Sequence, residues 1–259
     1  MDLSTLKVLA ALFIFLIGLL GALIARRMMT GDTTRPAIGI ANCFAGGVFL
    51  AAGLIHVLPD SQDDLATACP SLDYPLFGLL ACGSLAAMIV IDQIGHSAMR
   101  RRGRSDQIRT SAISAGVLFL ILSIHSIITG ISLGIEPAGV AAMALLLAVL
   151  AHKGTAAFAL GLKVREVTPG GSMYIRQMVG FALTTPLGVL IGLYLMLQLP
   201  ESDSAFFEGI FDAIAAGTFL YVAVFEILAD EFKEAQQVTW KSIAMGAGIA
   251  LMAVVAIWT

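Results

Sequence analysis

Two histidines lie deep inside long apolar stretches of the chain, where side chains that can bind metal are rare. His125 and His152 each stand near the middle of a predicted helix, and the two helices follow one another in the sequence. If these helices pack antiparallel, both imidazoles come to a common depth. Neutral imidazole is a good ligand for divalent zinc, iron, copper or nickel. The pair is therefore a candidate metal site; the alternative for each ring is a packed histidine hydrogen-bonded to a neighbouring carbonyl.

The residues around the two histidines add hydroxyl groups and a charge. Ser126 follows His125 directly, and Thr129 lies four residues after His125, on the same helix face. Lys153 is too far from a helix end to extend its ammonium group to the membrane surface, so it needs an anion, a set of carbonyls or a water-filled cavity. Fixed beside a metal, it would take the position of a second cation. Glu226 is the nearest carboxylate by depth and is therefore a candidate partner of Lys153.

The composition indicates what kind of protein must hold these residues. The chain has 259 residues, of which 58% are hydrophobic and only 13% are charged, whereas soluble proteins carry about 25% charged residues. We therefore predict an all-α polytopic membrane protein with no soluble catalytic domain. The net charge of −3 argues against nucleic-acid binding, because a basic surface is its usual signature. The three cysteines are too scattered for a disulfide framework or a zinc-binding CxxC pair.

Apolar runs bounded by charged residues or by Gly, Pro and Asp predict eight transmembrane helices. Spans 1 to 8 are predicted at residues 3–25, 37–58, 75–95, 111–135, 138–162, 177–199, 207–228 and 242–258. We interpret residues 3–25 as a retained span, because no basic segment precedes them and no cleavage site of small residues follows them. The eight spans are expected to form one transmembrane domain over residues 1–259.

The basic residues predict the orientation, because Lys and Arg are retained on the cytoplasmic side of short loops. Thirteen of the fifteen lie in alternate loops or at their edges: Arg26, Arg27, Arg35, Arg100, Arg101, Arg102, Arg104, Arg109, Lys163, Arg165, Arg176, Lys233 and Lys241. Both termini are therefore expected outside a cell membrane, either plasma membrane or inner membrane. The opposite loops would attract cations because they are acidic, through Asp60, Asp63, Asp64, Asp73, Glu136, Glu201, Asp203 and Glu208.

The predicted orientation also gives the spans an internal symmetry. Spans 1–3 and spans 6–8 run in opposite senses on either side of a hairpin made of spans 4 and 5, which is a 3+2+3 inverted repeat. Transporters with inverted repeats place the substrate site near the bilayer midplane. The histidine pair lies in that central hairpin.

Five motifs occur in order along spans 2 and 4–7. The hairpin carries His125-Ser-(x)3-Gly130 and His152-Lys-(x)4-Phe158-Ala-Leu-Gly161. The others are Ile55-His56-Val57-Leu58-Pro59-Asp60 in span 2, Thr185-Pro186-Leu187-Gly188 in span 6, and Ala216-Gly217-Thr218-Phe219-Leu220-Tyr221 through Glu226-Ile227-Leu228 in span 7. In these motifs the chain resembles the ZIP (Zrt-/Irt-like protein) family of divalent-metal transporters, whose eight spans with outside termini match the predicted arrangement.

The resemblance implies an elevator-type carrier in which spans 1, 4, 5 and 6 move against spans 2, 3, 7 and 8. Its substrate would be zinc or a related divalent ion such as Fe2+, Cd2+ or Mn2+, moved into the cytosol, and no cofactor is expected. His125 and His152 fall on metal-ligand positions of the family. Lys153 resembles the lysine that one subfamily carries where other members bind a second metal, which implies a single-metal site.

The resemblance also implies a pathway. His56 and Asp60 fall near the outer entrance, and Glu226 falls on the acidic position of span 7 toward the cytoplasmic exit. Asp92, one turn from the cytoplasmic edge of span 3, is a further exit residue in this interpretation, with static packing as its alternative.

The chain departs from the family pattern at two positions in the hairpin. Many members carry a glutamate where Thr129 stands, and others keep one at the position of Ala156. The predicted ligands are therefore His125, His152 and the hydroxyls of Ser126 and Thr129, with Glu226 as the acid that could complete them.

Two other functions remain open. The missing glutamates motivate one alternative to the carrier, a non-transporting ZIP-like metal sensor or membrane scaffold. An intramembrane zinc hydrolase would need a third ligand, an open water position and a general base; the sequence has no HExxH motif, and we predict that the chain is not an enzyme. The expected partners are a divalent metal ion, the lipid bilayer and a second copy of the chain in a homodimer, but no nucleic acid.

Overall fold

The computed structural model describes residues 3–30, 35–100, 107–137, 139–168, 171–196, 201–233 and 235–257. Within these ranges the chain is helical and has no strand, and eight helices are long and apolar enough to cross a membrane. We label them α1 (Leu3–Thr30), α2 (Arg35–Ala68), α3 (Leu76–Arg100), α4 (Gln107–Ile135), α5 (Gly139–Val167), α6 (Gly171–Met196), α7 (201–233) and α8 (Val238–Val255). The predicted all-α membrane architecture is confirmed.

Part of the predicted charge pattern falls where the structure gives no side chains. Arg101, Arg102 and Arg104 lie outside the described residues. The side chains of Arg100, Arg109, Glu201 and Asp203 also lie outside the description, although their backbone is helical. The orientation of the termini stays a prediction.

Two helices, α2 and α7, change from α-helical to π-helical geometry in mid-course. Helix α2 consists of Arg35–Ala51, the π-helical segment Ala52–Val57 and Leu58–Ala68, and α7 consists of Glu201–Tyr221, the π-helical segment Val222–Leu228 and Ala229–Lys233. Short π-helical segments frequently occur at functional sites. The first contains His56 and the second contains Glu226.

Helix α2 extends beyond the predicted end of span 2. The sequence ended that span at residue 58 and treated the next residues as an outer loop, whereas the helix continues to Ala68. Pro59 would break the interior of an α-helix because it has no N–H to donate. Here it stands in the first turn of the α-helical segment that follows the π-helical one, where proline is tolerated. The extension places Asp60, Asp63 and Asp64 on a helix instead of a loop.

The described helices form two groups. In the first, α1 packs extensively on α5 and α6, and α6 packs on α4; in the second, α2 packs on α8, and α7 packs on α3. Helix α7 also contacts α4 and so links the groups. Helices that correspond in the predicted repeat make corresponding contacts: α1 meets α5 as α6 meets α4, and α2 meets α8 as α7 meets α3. The inverted repeat itself stays a prediction, and this pattern agrees with it.

Glycines allow helices of the first group to pack with their backbones in direct contact. A Cβ atom on Gly130 of α4 would lie 2.3 Å from the carbonyl oxygen of Thr185 on α6, and Gly188 of α6 meets the α4 backbone in the same way. A Cβ atom on Gly21 of α1 would lie 2.2 Å from the carbonyl oxygen of Gly154 on α5. Only glycine fits such contacts, which are common where membrane helices pack closely. The helices that carry the two histidines are therefore tightly bound to their neighbours.

The outer face of α1 is apolar. Large exposed side chains follow it at helical spacing, namely Leu9, Leu12, Phe13, Leu16, Leu20 and Leu23. In water such a surface would be costly, whereas hydrocarbon chains accept it and a helix satisfies its own backbone hydrogen bonds there. This surface fits contact with lipid.

Candidate metal centre

The structure brings His125 of α4 and His152 of α5 together. Their ring centroids lie 5.9 Å apart, and each residue is only 3% exposed. Phe219 of α7 closes the site from the other helix group, with its ring centroid 3.8 Å from that of His125 and 4.9 Å from that of His152. The two imidazoles thus share one buried site at the boundary between the groups, and their role as metal ligands stays a prediction.

Two threonine hydroxyls contact the His125 ring. Thr129 Oγ1 lies 3.2 Å from Nε2, and Thr218 Oγ1 lies 3.3 Å from Nδ1. The Thr218 hydroxyl donates to the carbonyl oxygen of Ala215 at 2.7 Å, so its oxygen is left to accept a hydrogen bond from Nδ1–H. We assign the proton to Nδ1 on this ground. The assignment leaves Nε2, on the Thr129 side, with the lone pair that a metal ion requires.

The sequence did not single out Thr218 as a site residue. It lies on α7, outside the hairpin, within the Ala216–Tyr221 motif. A hydroxyl in an apolar run is the signal that could have found it. Because hydroxyl residues are common at contacts between membrane helices, that signal alone does not separate a ring-orienting threonine from a packing one.

Lys153 is 2% exposed, and its described partners are neutral. Nζ donates to Ser126 Oγ at 3.0 Å, to the Phe181 carbonyl oxygen at 3.3 Å and to Thr184 Oγ1 at 3.5 Å. It also lies 3.9 Å from the centroid of the Phe181 ring, a cation–π distance. Neutral oxygens and an aromatic face therefore surround this ammonium group, and its candidate partner Glu226 is not among its described contacts. The hydroxyl of Ser126, which was predicted to be a metal ligand, accepts a hydrogen bond from Lys153.

Glu226 lies in a separate polar region at the far end of α7. Its Oε1 accepts a hydrogen bond from the Tyr221 hydroxyl at 3.1 Å, and Tyr221 also interacts electrostatically with Asp92 of α3. Among the residues that the structure describes, no group of three or more His, Cys, Asp or Glu side chains could hold a metal ion. The structure therefore joins the two predicted exit residues through Tyr221, but it does not bring Glu226 to the histidine pair.

A cavity of about 640 Å³ lies at this end of the bundle. We call it the mixed-charge cavity, because its ionisable lining residues are Arg35, Lys163, Glu166, Glu226, Asp230, Glu231 and Lys241. Lys163 Nζ lies 3.1 Å from Asp230 Oδ2 and Lys241 Nζ lies 3.4 Å from Glu231 Oε2. The basic residues thus neutralise part of its acidic lining, and Glu226 stands on its wall.

A second cavity, of about 230 Å³, lies at the opposite end of the bundle, where α1 begins. We call it the acidic cavity, and its lining residues are His56, Asp60, Asp63, Asp64, Ser132, Glu136, Ala144, Leu145, Glu208 and Asp212. The predicted entrance residues meet here, with His56 Nδ1 at 2.9 Å from Asp60 Oδ2. Ser132 of the cavity wall lies seven residues, about two helical turns, from His125 on α4. The acidic cavity therefore reaches toward the histidine pair.

The fold and the site define a class before any comparison. The chain is a polytopic helical membrane protein in which a buried imidazole pair lies between charged cavities at the two ends of the bundle. Ionisable groups at membrane depth are costly and by default mark an ion or substrate pathway. The class is that of polytopic helical membrane proteins with buried ionisable side chains at membrane depth.

The chain belongs to the ZIP zinc transporter family. The family model described as "ZIP Zinc transporter" matches residues 2–107 and 95–256, and the predicted resemblance is confirmed. Human zinc transporter ZIP2 is 27% identical over 269 residues, which cover 86% of this chain and 86% of the relative. Human zinc transporter ZIP1 is 29% identical, covering 86% of this chain and 79% of the relative, and zinc transporter 3 of Arabidopsis thaliana is 25% identical, covering 95% and 80%.

Proposed function

We propose that this chain carries a divalent metal ion, zinc foremost, across a cell membrane into the cytosol, with His125 and His152 as its central ligands. The observation that carries the proposal is the buried imidazole pair, 5.9 Å apart between centroids, between an acidic cavity and a mixed-charge cavity. Membership of a zinc transporter family and relatives named as zinc transporters support it.

The direction follows from the charges. If the basic loops are cytoplasmic, the acidic cavity faces outward, where its field concentrates cations at the entrance formed by His56 and Asp60. From there an ion reaches the histidine pair about two helical turns deeper, since Ser132 of the cavity lies seven residues from His125 on α4. Release into the mixed-charge cavity passes Glu226, which Tyr221 connects with Asp92.

The two helix groups support an alternating-access mechanism of the elevator type. Both histidines belong to the group of α1, α4, α5 and α6, whose glycine contacts make it a compact unit. Phe219, which packs against both rings, belongs to the other group. In this mechanism the first group moves past Phe219 within one transmembrane domain and exposes the pair to each cavity in turn.

Lys153 limits the proposed site to one metal ion. Its ammonium group hydrogen-bonds Ser126, which follows His125, and none of its described partners carries a negative charge. A second divalent ion at that position would face the repulsion of an uncompensated buried cation. The ligands available to the single ion are therefore the two imidazoles, the Thr129 hydroxyl and water.

The proposal is tested by uptake of radioactive zinc into proteoliposomes that contain the purified chain. We expect uptake that saturates with zinc concentration and that other divalent ions inhibit by competition. Zinc binding without uptake, in protein shown to be folded and inserted, would instead favour the sensor or scaffold alternative. Neither binding nor uptake of any divalent ion would overturn the assignment of the histidine pair.

Thr218 gives this assignment a finer test. Thr218→Val keeps the size of the side chain but removes the acceptor for Nδ1–H of His125, so the ring loses the partner that fixes its tautomer. We expect the zinc dissociation constant to rise about tenfold, as for other outer partners of ligating histidines. The measurement is a zinc titration of the purified protein.

The matched control for this test is Thr155→Val. The Thr155 hydroxyl donates to the backbone carbonyl oxygen of His152 at 2.7 Å, so its loss removes a similar helix contact without touching an imidazole nitrogen. Equal zinc affinities for the Thr218 and Thr155 variants would show that Thr218 packs the helix and does not orient the ring.

A further inference from the structure

Four arginines lie together at one end of the first helix group. Arg26 and Arg27 stand near the end of α1, Arg165 stands in the last turn of α5, and Arg176 stands in the second turn of α6. We call this surface the arginine edge. It lies at the end of the bundle where α1 ends, opposite the acidic cavity, and all four residues belong to helices that pack on one another.

The junction of α1, α5 and α6 positions two of these arginines, both of them half-buried. Tyr174 of α6 is buried, and its hydroxyl donates to the carbonyl oxygen of Ala22 on α1 at 2.6 Å. Arg26 lies one turn after Ala22, and its Nη2 is 3.7 Å from the position of a Cβ atom on Gly171 of α6. Arg165 Nη1 donates to a backbone carbonyl oxygen three residues later at 3.2 Å. Both guanidinium groups interact electrostatically with Tyr174, so arginines from two helices meet beside the start of a third.

The other two arginines are exposed and continue apolar surfaces. Arg27 lies four residues after Leu23 and seven after Leu20, so it shares the exposed apolar face of α1. Arg176 lies seven residues before the exposed Leu183 and so shares its face of α6. The positive charges therefore stand where two surfaces that fit lipid chains come to an end.

Positive charge is in excess at this end of the first helix group. Among the described residues at these ends of α1, α5 and α6, Lys163 is basic in addition to the four arginines, and Glu166 is acidic. Lys163 pairs with Asp230 of the second group, and Glu166 lines the mixed-charge cavity. The second group carries both signs of charge at the same end of the bundle, since its residues in the lining of that cavity include acids and bases. The arginine edge is thus a basic surface on one helix group, beyond the general excess of basic residues on one side of a membrane.

We propose that the arginine edge binds the phosphate headgroup of an anionic phospholipid, whose acyl chains lie on the apolar faces of α1 and α6. Guanidinium groups recognise phosphate oxygens through paired, charge-assisted hydrogen bonds. Basic clusters beside the ends of membrane spans attract anionic lipids. A lipid gains from the apolar faces as well as from the charges, whereas a free phosphate ion gains from the charges alone. This inference goes beyond the proposed transport function, because it requires only that a lipid binds and not that the chain moves an ion.

The experiment is native mass spectrometry of the purified full chain in detergent, titrated with phosphatidylglycerol or with phosphatidylcholine of the same acyl chains. We expect the anionic lipid to bind at least about tenfold more tightly, since each basic residue beside the headgroups contributes about fivefold. The double variant Arg27→Gln/Arg176→Gln is expected to lose most of this preference. Both side chains are exposed, so the variant is expected to fold, and its thermal unfolding midpoint is measured to check this. Arg27→Lys/Arg176→Lys keeps the charges and is expected to keep the preference.

A matched control separates a lipid site from a response to net charge. Arg35→Gln/Lys233→Gln also removes two exposed positive charges at this end of the bundle, but from helices of the second group, and is expected to keep the lipid preference. An equal loss in the two glutamine double variants would overturn the proposal, and so would equal binding of the two lipids by the unmodified chain.

Inorganic phosphate is the third ligand in this experiment. We expect it not to displace phosphatidylglycerol at equal concentration, because it has no acyl chains to lie on α1 and α6. Displacement would assign the arginine edge to a free anion and overturn the lipid assignment. Failure of the transport proposal is read separately, in zinc uptake.

Discussion

His125→Ala is expected to abolish saturable zinc uptake, or to lower its kcat/KM by at least about 100-fold, which corresponds to about 2.8 kcal/mol. The variant removes half of the imidazole pair, and the chain offers no replacement: the described residues contain no group of three or more His, Cys, Asp or Glu side chains that could hold a metal ion. The remaining His152 would bind the ion with hydroxyls and water alone. The measurement is initial uptake of radioactive zinc into proteoliposomes across a range of zinc concentrations.

The interpretation depends on a matched histidine control. His96→Ala removes the one histidine of the sequence that was not assigned to the pathway, and its uptake is expected to equal that of the unmodified chain. His125 packs on Phe219, with 3.8 Å between their ring centroids, so His125→Ala also removes a packing contact. For this reason the thermal unfolding midpoint of each variant, and the amount of it that is reconstituted, are measured together with its uptake. Normal uptake by folded His125→Ala protein would move the site away from the hairpin.

The sequence predicted the central pair because the relevant constraints are local to a helix or dictated by the membrane. Apolar runs of about 20 residues define the spans, and two polar residues in the middle of successive spans must face each other or a cavity because lipid excludes them. That reasoning put His125 and His152 at one depth, and the structure brings their rings together. Lys153 was identified as a buried cation for the same reason.

The partners of these residues could not be predicted in the same way, because they depend on how the helices are rotated and tilted. Depth alone made Glu226 the candidate partner of Lys153, yet the ammonium group faces Ser126 and the Phe181 carbonyl. Thr218 reaches His125 from a helix 93 residues away in the sequence. Such contacts depend on how different helices pack against one another. The hydrophobic periodicity and the spacing of residues within one helix do not predict them.

The ends of the helices were also hard to place from the sequence alone. Pro59 and three aspartates after span 2 are typical of a loop, and the π-helical segment that lets the helix pass through Pro59 has no clear sequence signal. The same extension carries Asp60 and Asp64 into the acidic cavity. Glu208, assigned to an outer loop by its charge, is buried there for a related reason: α7 already begins at Glu201.

Thr129→Glu is expected to tighten zinc binding about tenfold to 100-fold, which corresponds to about 1.4–2.8 kcal/mol. Thr129 Oγ1 lies 3.2 Å from His125 Nε2, the nitrogen assigned as the ligand, so a carboxylate on this residue can reach an ion bound there. It would supply the anionic ligand that the pair lacks. The gain is expected because the Lys153 charge has no described carboxylate partner and still opposes the ion.

The same substitution is expected to change uptake in a specific way. KM for zinc should fall with the dissociation constant, while the maximal rate should stay the same or fall, because an ion held more tightly leaves the site more slowly. Thr129→Gln is the control for size, since it adds the same number of non-hydrogen atoms without the charge. Equal zinc affinities in the Glu and Gln variants would mean that the missing carboxylate does not limit the site, and that His125, His152 and bound water already satisfy the ion despite the buried ammonium group beside them.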